Sequence, residues 1–180
     1  MRPGAKRPLG LGASALLSAV LLAAAARRAR LEPMLVHGES MLPALAPGQR
    51  IAVGPVRRAP RRGDVVVVRR PEREVVKRLV GLPGERVRLA GGRLEIDGRH
   101  VPEPWAVARP RLDANGPPGP LDPDGTVELD LRLGADQLVV LGDCRDRSTD
   151  SRSFGPVRRN DLIAIVRFAY WPPRRMRPPK

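Results

Sequence analysis

The sequence predicts a mainly β domain behind one N-terminal transmembrane helix, and three observations lead there. An uncharged apolar run, LGLGASALLSAVLLAAAA, occupies residues 9–26. Beyond Leu31 the texture changes to short β-branched runs of strand length. Pro and Gly number 21 and 18 in 180 residues, which favours many short elements joined by turns over long helices.

Residues 1–8 carry Arg2, Lys6 and Arg7 and form a short N-terminal segment. As a helix, residues 9–26 would span about 27 Å at 1.5 Å per residue. That just reaches a hydrocarbon core of about 30 Å, so the segment reads as a short signal-anchor. Ala23 to Ala26 also offer small-residue cleavage sites, which leaves a cleavable secretory signal as the other reading. Arg27, Arg28 and Arg30 balance the basic residues upstream, so flanking charge does not decide the orientation.

Residues 31–171 form the expected β domain. Asp64–Arg70 and Glu74–Val80 are β-branched runs, and Glu85–Ala90 and Arg93–Asp97 flank Gly91-Gly92 as a hairpin would. Thr126–Leu131, Gln137–Leu141 and Leu162–Tyr170 complete the expected strands. Pro102–Gly125 reads as a loop, and residues 172–180, PPRRMRPPK, as a disordered basic tail.

A formal charge of +14 raises the question of nucleic acid. The basic residues are scattered as pairs such as Arg57-Arg58 and Arg158-Arg159, with no RNA-binding motif and few stacking aromatics, so no nucleic-acid partner is expected. Anionic lipid headgroups, or simply an Arg-rich solvated surface, account for the excess. Cys144 is the only cysteine, which excludes an intramolecular disulfide. His37 and His100 stand far apart in sequence with no paired cysteines, so no metal site is expected.

Three segments could carry chemistry: His37–Pro47 (HGESMLPALAP), Val76–Glu85 (VKRLVGLPGE) and Leu141–Pro156 (LGDCRDRSTDSRSFGP). Polar loops on a rigid β scaffold often host function. Each segment alone has an ordinary reading: Ser40 as a turn serine, Lys77 as a snorkelling surface residue, the third as a hydrogen-bonded turn. In this order and spacing, however, they resemble the type I signal peptidases, the bacterial leader peptidases of peptidase family S26. The family's Ser-Met-x-Pro is matched by Ser40-Met41-Leu42-Pro43. Its Lys-Arg followed by Gly-x-Pro-Gly-acid is matched by Lys77-Arg78 and Gly81-Leu82-Pro83-Gly84-Glu85. Its third box is matched by Gly142-Asp143, Ser148, Asp150-Ser151-Arg152 and Phe154-Gly155. Gly92–Trp105 is similar to the family's hairpin after the lysine strand.

The resemblance implies a signal-peptidase-like β-rich catalytic domain and a membrane-bound serine endopeptidase that removes signal peptides from exported preproteins. Ser40 would be the nucleophile and Lys77 the general base, with no cofactor and no obligate protein partner. Ser148 would orient the lysine amine, Asp143 and Arg152 would form an ion pair holding the third loop, and Asp150 and Ser151 would support it. Gly38, Met41 and Ser40 would line the substrate and oxyanion site, the oxyanion resting chiefly on backbone N–H groups such as that of Ser40. The resemblance also places the domain on the outer side of the cytoplasmic membrane, as a single-pass protein with residues 1–8 as its cytoplasmic N-terminus.

A serine hydroxyl needs a base, and a lysine base must be neutral, so burial has to lower its pKa by several units from about 10.4. Val75 and Leu79 alternate with Lys77 and would supply an apolar face, while Val76 and Val80 flank Arg78 on the other. The pattern leaves open which face is buried. Where the family has Asn after Gly-Asp, this chain has Cys144, a poor substitute for amide hydrogen bonding. A nucleophilic role for Cys144 ranks low because no base motif accompanies it. Two other functions are weighed: a same-fold maturation protease for one dedicated precursor, of the nickel superoxide dismutase type, and a non-catalytic basic module binding the membrane surface. The long segment between Lys77 and Gly142 disfavours the first, and the joint presence of Ser40 and Lys77 disfavours the second.

Overall fold

Val65 to Val68 are all buried, and an unbroken apolar run of this length makes a strand covered on both faces. The rest of the domain is arranged around that strand. The computed structural model describes residues 31–107 and 127–172. The expected anchor over 9–26, most of the Pro-rich stretch and nearly all of the basic tail lie outside the described residues.

In chain order the strands are β1 (Glu32–Leu35), β2 (Arg50–Pro55), β3 (Val65–Arg69), β4 (Glu74–Gly81), β5 (Arg86–Ala90) and β6 (Arg93–Ile96). They continue with β7 (Arg99–His100), β8 (Val127–Arg132), β9 (Gln137–Leu141), β10 (Val157–Arg158) and β11 (Leu162–Trp171). A seven-stranded sheet runs β1-β2-β11-β3-β4-β9-β10, and a four-stranded sheet runs β7-β6-β5-β8. One helical turn, α1 (Ser151–Phe154), follows the third motif loop.

Alternation along the strands divides the apolar side chains among three clusters. Val65 and Val67 pack with Met41, Leu45, Ile51, Val53 and Val166. Their neighbours Val66 and Val68 face the other way, against Leu79, Leu138, Val140 and Ile165. Val80, Val139 and Leu141 join the two sheets by packing on Val87, Leu89, Leu94 and Leu129. Gly91 and Gly92 both have positive φ (54° and 71°) and close the β5–β6 hairpin between Ala90 and Arg93, as the sequence led us to expect.

The expected strands are present with ends moved by a residue or two, and four more accompany them. β1 contains Pro33, which an edge strand tolerates because one row of its backbone groups needs no partner. β2 is contiguously buried rather than alternating and runs into Pro55, so it lacks the period-two signal. β7 and β10 have two residues each, too few for any pattern.

Candidate active site

Ser40 lies in the loop between β1 and β2. The loop is pinned at its base, where Val36 N–H donates to Gln49 O (2.8 Å) and Gly48 N–H to Val36 O (2.9 Å). Met41 and Leu45, nearly inaccessible to solvent, drive its inner face into the core, and Leu45 N–H donates to Met41 O (2.7 Å). Burial of two large apolar side chains contributes a few kcal/mol and holds Ser40 at the rim of that core.

Lys77 stands in the middle of β4, opposite Val66 of β3. Its Nζ is 2.7 Å from Ser40 Oγ, and the residue is only 4% exposed. Val75 and Leu79, which alternate with it, belong with the apolar cluster around Val66 and Val140. Burial lowers the pKa of Lys77 to about 8. Asp150 and Asp143 oppose that shift, while Arg73 and Arg152 reinforce it. The question of which face of β4 is buried has a simple answer: both are. Arg78, the next residue, is 1% exposed.

A buried guanidinium needs a counter-charge and full hydrogen bonding. Asp143 supplies both: Arg78 Nε donates to Oδ1 (2.7 Å) and Nη2 to Oδ2 (2.6 Å). Nη1 donates to Gly63 O (2.8 Å), and the Trp105 ring lies 4.7 Å from the guanidinium carbon. Burial pushes the Asp143 carboxyl up, and Arg78 opposes it. The expected Asp143–Arg152 ion pair is therefore corrected. Arg152 instead holds Asp150 through Nε (2.9 Å) and reaches Glu128 through Nη1 (3.0 Å) and Arg145 O through Nη2 (2.6 Å). The pair implied by the resemblance is replaced because β4 and β9 are neighbours in the sheet and bring Arg78 to Asp143.

Asp150 caps α1 and also accepts from Gly142 N–H (2.9 Å). Burial works against its charge, yet Arg152 and the Gly142 amide hold its carboxyl below the usual range. The Ser151 hydroxyl accepts from Val140 N–H (3.0 Å), tying the helical turn to β9. Ser148 departs from expectation: its Oγ is buried and makes no hydrogen bond to the Lys77 amine, which Ser40 Oγ engages instead. Gly142 lies between Ser40 and Ser148. A Cβ there would stand 2.2 Å from Ser148 Oγ and 2.6 Å from Ser40 O, so only glycine lets the two loops approach this closely.

Cys144 contributes through its backbone, its N–H donating to Ser40 O (3.0 Å). Its thiol is buried and its pKa is pushed up by burial, the opposite of an activated cysteine. The contact that ties Ser40 to the third loop at position 144 is thus a peptide group, which the change from Asn to Cys leaves intact. A second buried ion pair, Arg145–Glu103 (2.5 Å), was not anticipated, nor was Arg78. The available signal for Arg78 was a charged residue in a strand apolar on both sides. Glu103 offered none, lying in a Pro-rich stretch that reads as loop.

A cleft of about 250 Å³ opens beside the dyad, walled by residues 34–41 and 73–77, with Arg147 and Thr149 also lining it. Gly38 and Met41 both line it. β9 pairs with β4 only over Arg78–Gly81, so the upstream half of β4 bonds to β3 alone. Ser40 N–H makes no hydrogen bond to another described residue. No group of side chains among the described residues could hold a metal ion.

The family model for signal peptidases, peptidase S26, matches residues 11–171. A signal peptidase I from Leptolyngbya laminosa is 33% identical over 190 aligned positions, covering 97% of this chain and 86% of the relative. One from Bacillus caldolyticus is 36% identical over 151, covering 77% and 78%. Among solved structures, a signal peptidase I from Enterococcus faecalis has 28% identity and a TM-score of 0.48, covering 60% of this chain and 97% of that one. With a family model spanning nearly the whole sequence and relatives above 30% identity across most of their own length, the chain belongs to the signal peptidases, the serine peptidases of family S26.

Proposed function

We propose that this protein is a membrane-bound endopeptidase that removes signal peptides from exported preproteins through a Ser40–Lys77 dyad. The observation that carries the reading is a lysine amine 2.7 Å from a serine hydroxyl, with burial lowering the lysine's pKa to about 8. In this mechanism neutral Lys77 takes the proton from Ser40 Oγ, which attacks the carbonyl carbon before the cut. The oxyanion is met by the Ser40 N–H. Lys77, now an ammonium, returns the proton to the departing amine of the mature protein. Water then hydrolyses the ester with Lys77 as base again. Arg78–Asp143 and Arg152–Asp150 act as positioning pairs that hold the third loop against the dyad. Ser148 is the hydroxyl proposed to take up the amine once Ser40 Oγ is acylated.

The preprotein would lie extended in the cleft, pairing its backbone with the free half of β4. Such pairing gives affinity without reading sequence. Selection then falls to shallow pockets that admit alanine at the residue before the cut and at the one two positions earlier. The uncharged run over 9–26 would hold the domain on the outer side of the cytoplasmic membrane, where its basic surface meets anionic lipid. The test is kinetic. Ser40→Ala and Lys77→Ala are each expected to lower kcat by at least about a thousandfold, and the double variant to be no worse, because the two residues act as one unit. Substantial cleavage by Lys77→Ala would remove the proposed base.

A further inference from the structure

One charged pair at the cleft is not used by this mechanism. Glu39, immediately before the nucleophile, pairs with Arg147, immediately before Ser148. Both residues line the cleft. The pair is half-open to solvent, with the side chains 34% and 44% exposed, so it holds weakly against water and exchange. Arg147 engages Glu39 through Nη1 alone, and its Nε and Nη2 have no partner among the described residues. A guanidinium presents its donors as a planar fork that suits a carboxylate. Arg147 therefore keeps an open fork beside the reacting serine.

The two walls of the cleft fix which part of a substrate could meet it. Residues 34–38 and 73–76, which precede Ser40 and Lys77 in the chain, wall the same cleft as the dyad, and at about 3.3 Å per residue each wall accommodates roughly four extended residues. On the proposed function, that walled portion takes the residues before the cut. Glu39, Arg147 and Thr149, on the two loops that meet at Ser40, are left for the residues after it. We infer that Arg147 is a specificity-determining residue that favours preproteins with an acidic side chain in the first two positions of the mature sequence. The substrate carboxylate takes the open face of the fork or displaces Glu39. A lysine there meets the guanidinium unfavourably. This inference rests on the signal-peptidase reading and adds a mature-side preference to it.

The test uses the full chain in detergent and a peptide series with Ala-x-Ala before the cut and Glu, Gln or Lys at each of the next two positions. For the unaltered enzyme, kcat/KM is expected to favour Glu over Lys by about fivefold or more at one of these positions. Arg147→Gln should flatten that ratio, Arg147→Glu should invert it, and Arg147→Lys should keep its order. Glu39→Gln should enlarge it by freeing the fork. The ratio is the readout because a purely structural role would change all peptides alike. If active Arg147→Gln and Arg147→Glu enzymes keep the wild-type ratio, the inference is overturned. If the unaltered enzyme cuts none of the peptides, the peptidase reading fails and this one with it.

Discussion

As the proposed base, Lys77 must be buried enough to lose its proton near neutral pH and still sit within a hydrogen bond of Ser40. With a pKa of about 8, roughly a tenth of the lysine is neutral at pH 7, enough for the base role proposed for it. On the proposed mechanism the neutral amine is the active form, so kcat/KM should rise about tenfold per pH unit below 8 and level off above it. A pH–rate profile of the intact enzyme checks this, and a flat profile between pH 6 and 9 would contradict it. The same burial costs stability. The folded-state pKa is depressed from 10.5, so between about 8 and 10.5 the unfolded chain binds more protons and stability rises with pH. Below pH 8 the penalty is about 3 kcal/mol, at 1.36 kcal/mol per unit. The closeness of Ser40 and Lys77 was legible in the sequence because the motifs carry both residues. Arg78 was not, because a Lys-Arg pair in a strand normally has one member in solvent, and here both faces are covered.

At the scale of elements, the site depends on how closely the loop after β9 approaches the loop carrying Ser40. Gly142 sets that distance, and the Cys144 N–H to Ser40 O bond fixes it. Gly142→Ala would drive a methyl group into a backbone carbonyl, which cannot rotate away as a side-chain end can. We expect a loss of about 1–3 kcal/mol in stability and at least about a hundredfold in kcat/KM, as Ser40 shifts relative to Lys77. Chemical denaturation and steady-state kinetics of the variant measure the two effects, and a fully active Gly142→Ala enzyme would show that the approach is not needed. The β-branched strands and the Gly91-Gly92 hairpin were readable from local pattern. The stretch before Ser40, now β1, read as strand-like despite its Pro, whereas β2, which completes the frame of the Ser40 loop, did not, since it has no alternation. The partner of Asp143 was hidden for a related reason. It lies 65 residues away in sequence and is brought close only by the pairing of β4 with β9.

Across the whole molecule, three segments distant in sequence become one site because the sheet order sets β3, β4 and β9 side by side and the β1–β2 loop packs its Met41 and Leu45 into the same core. That core is aliphatic and without a disulfide, so the rigidity of the dyad rests on packing and on the buried Arg78–Asp143 and Arg145–Glu103 pairs. The family was legible from motif order, whereas the network beneath the motifs needed the fold. The most direct measurement incubates the purified full-length protein with a panel of unrelated preproteins and reads the new N-termini by mass spectrometry. One cut per preprotein is expected, after a small residue with another small residue two positions earlier, and no cut with the Ser40→Ala protein. Cleavage at scattered sites, or cleavage that persists without the Ser40 hydroxyl, would contradict the account.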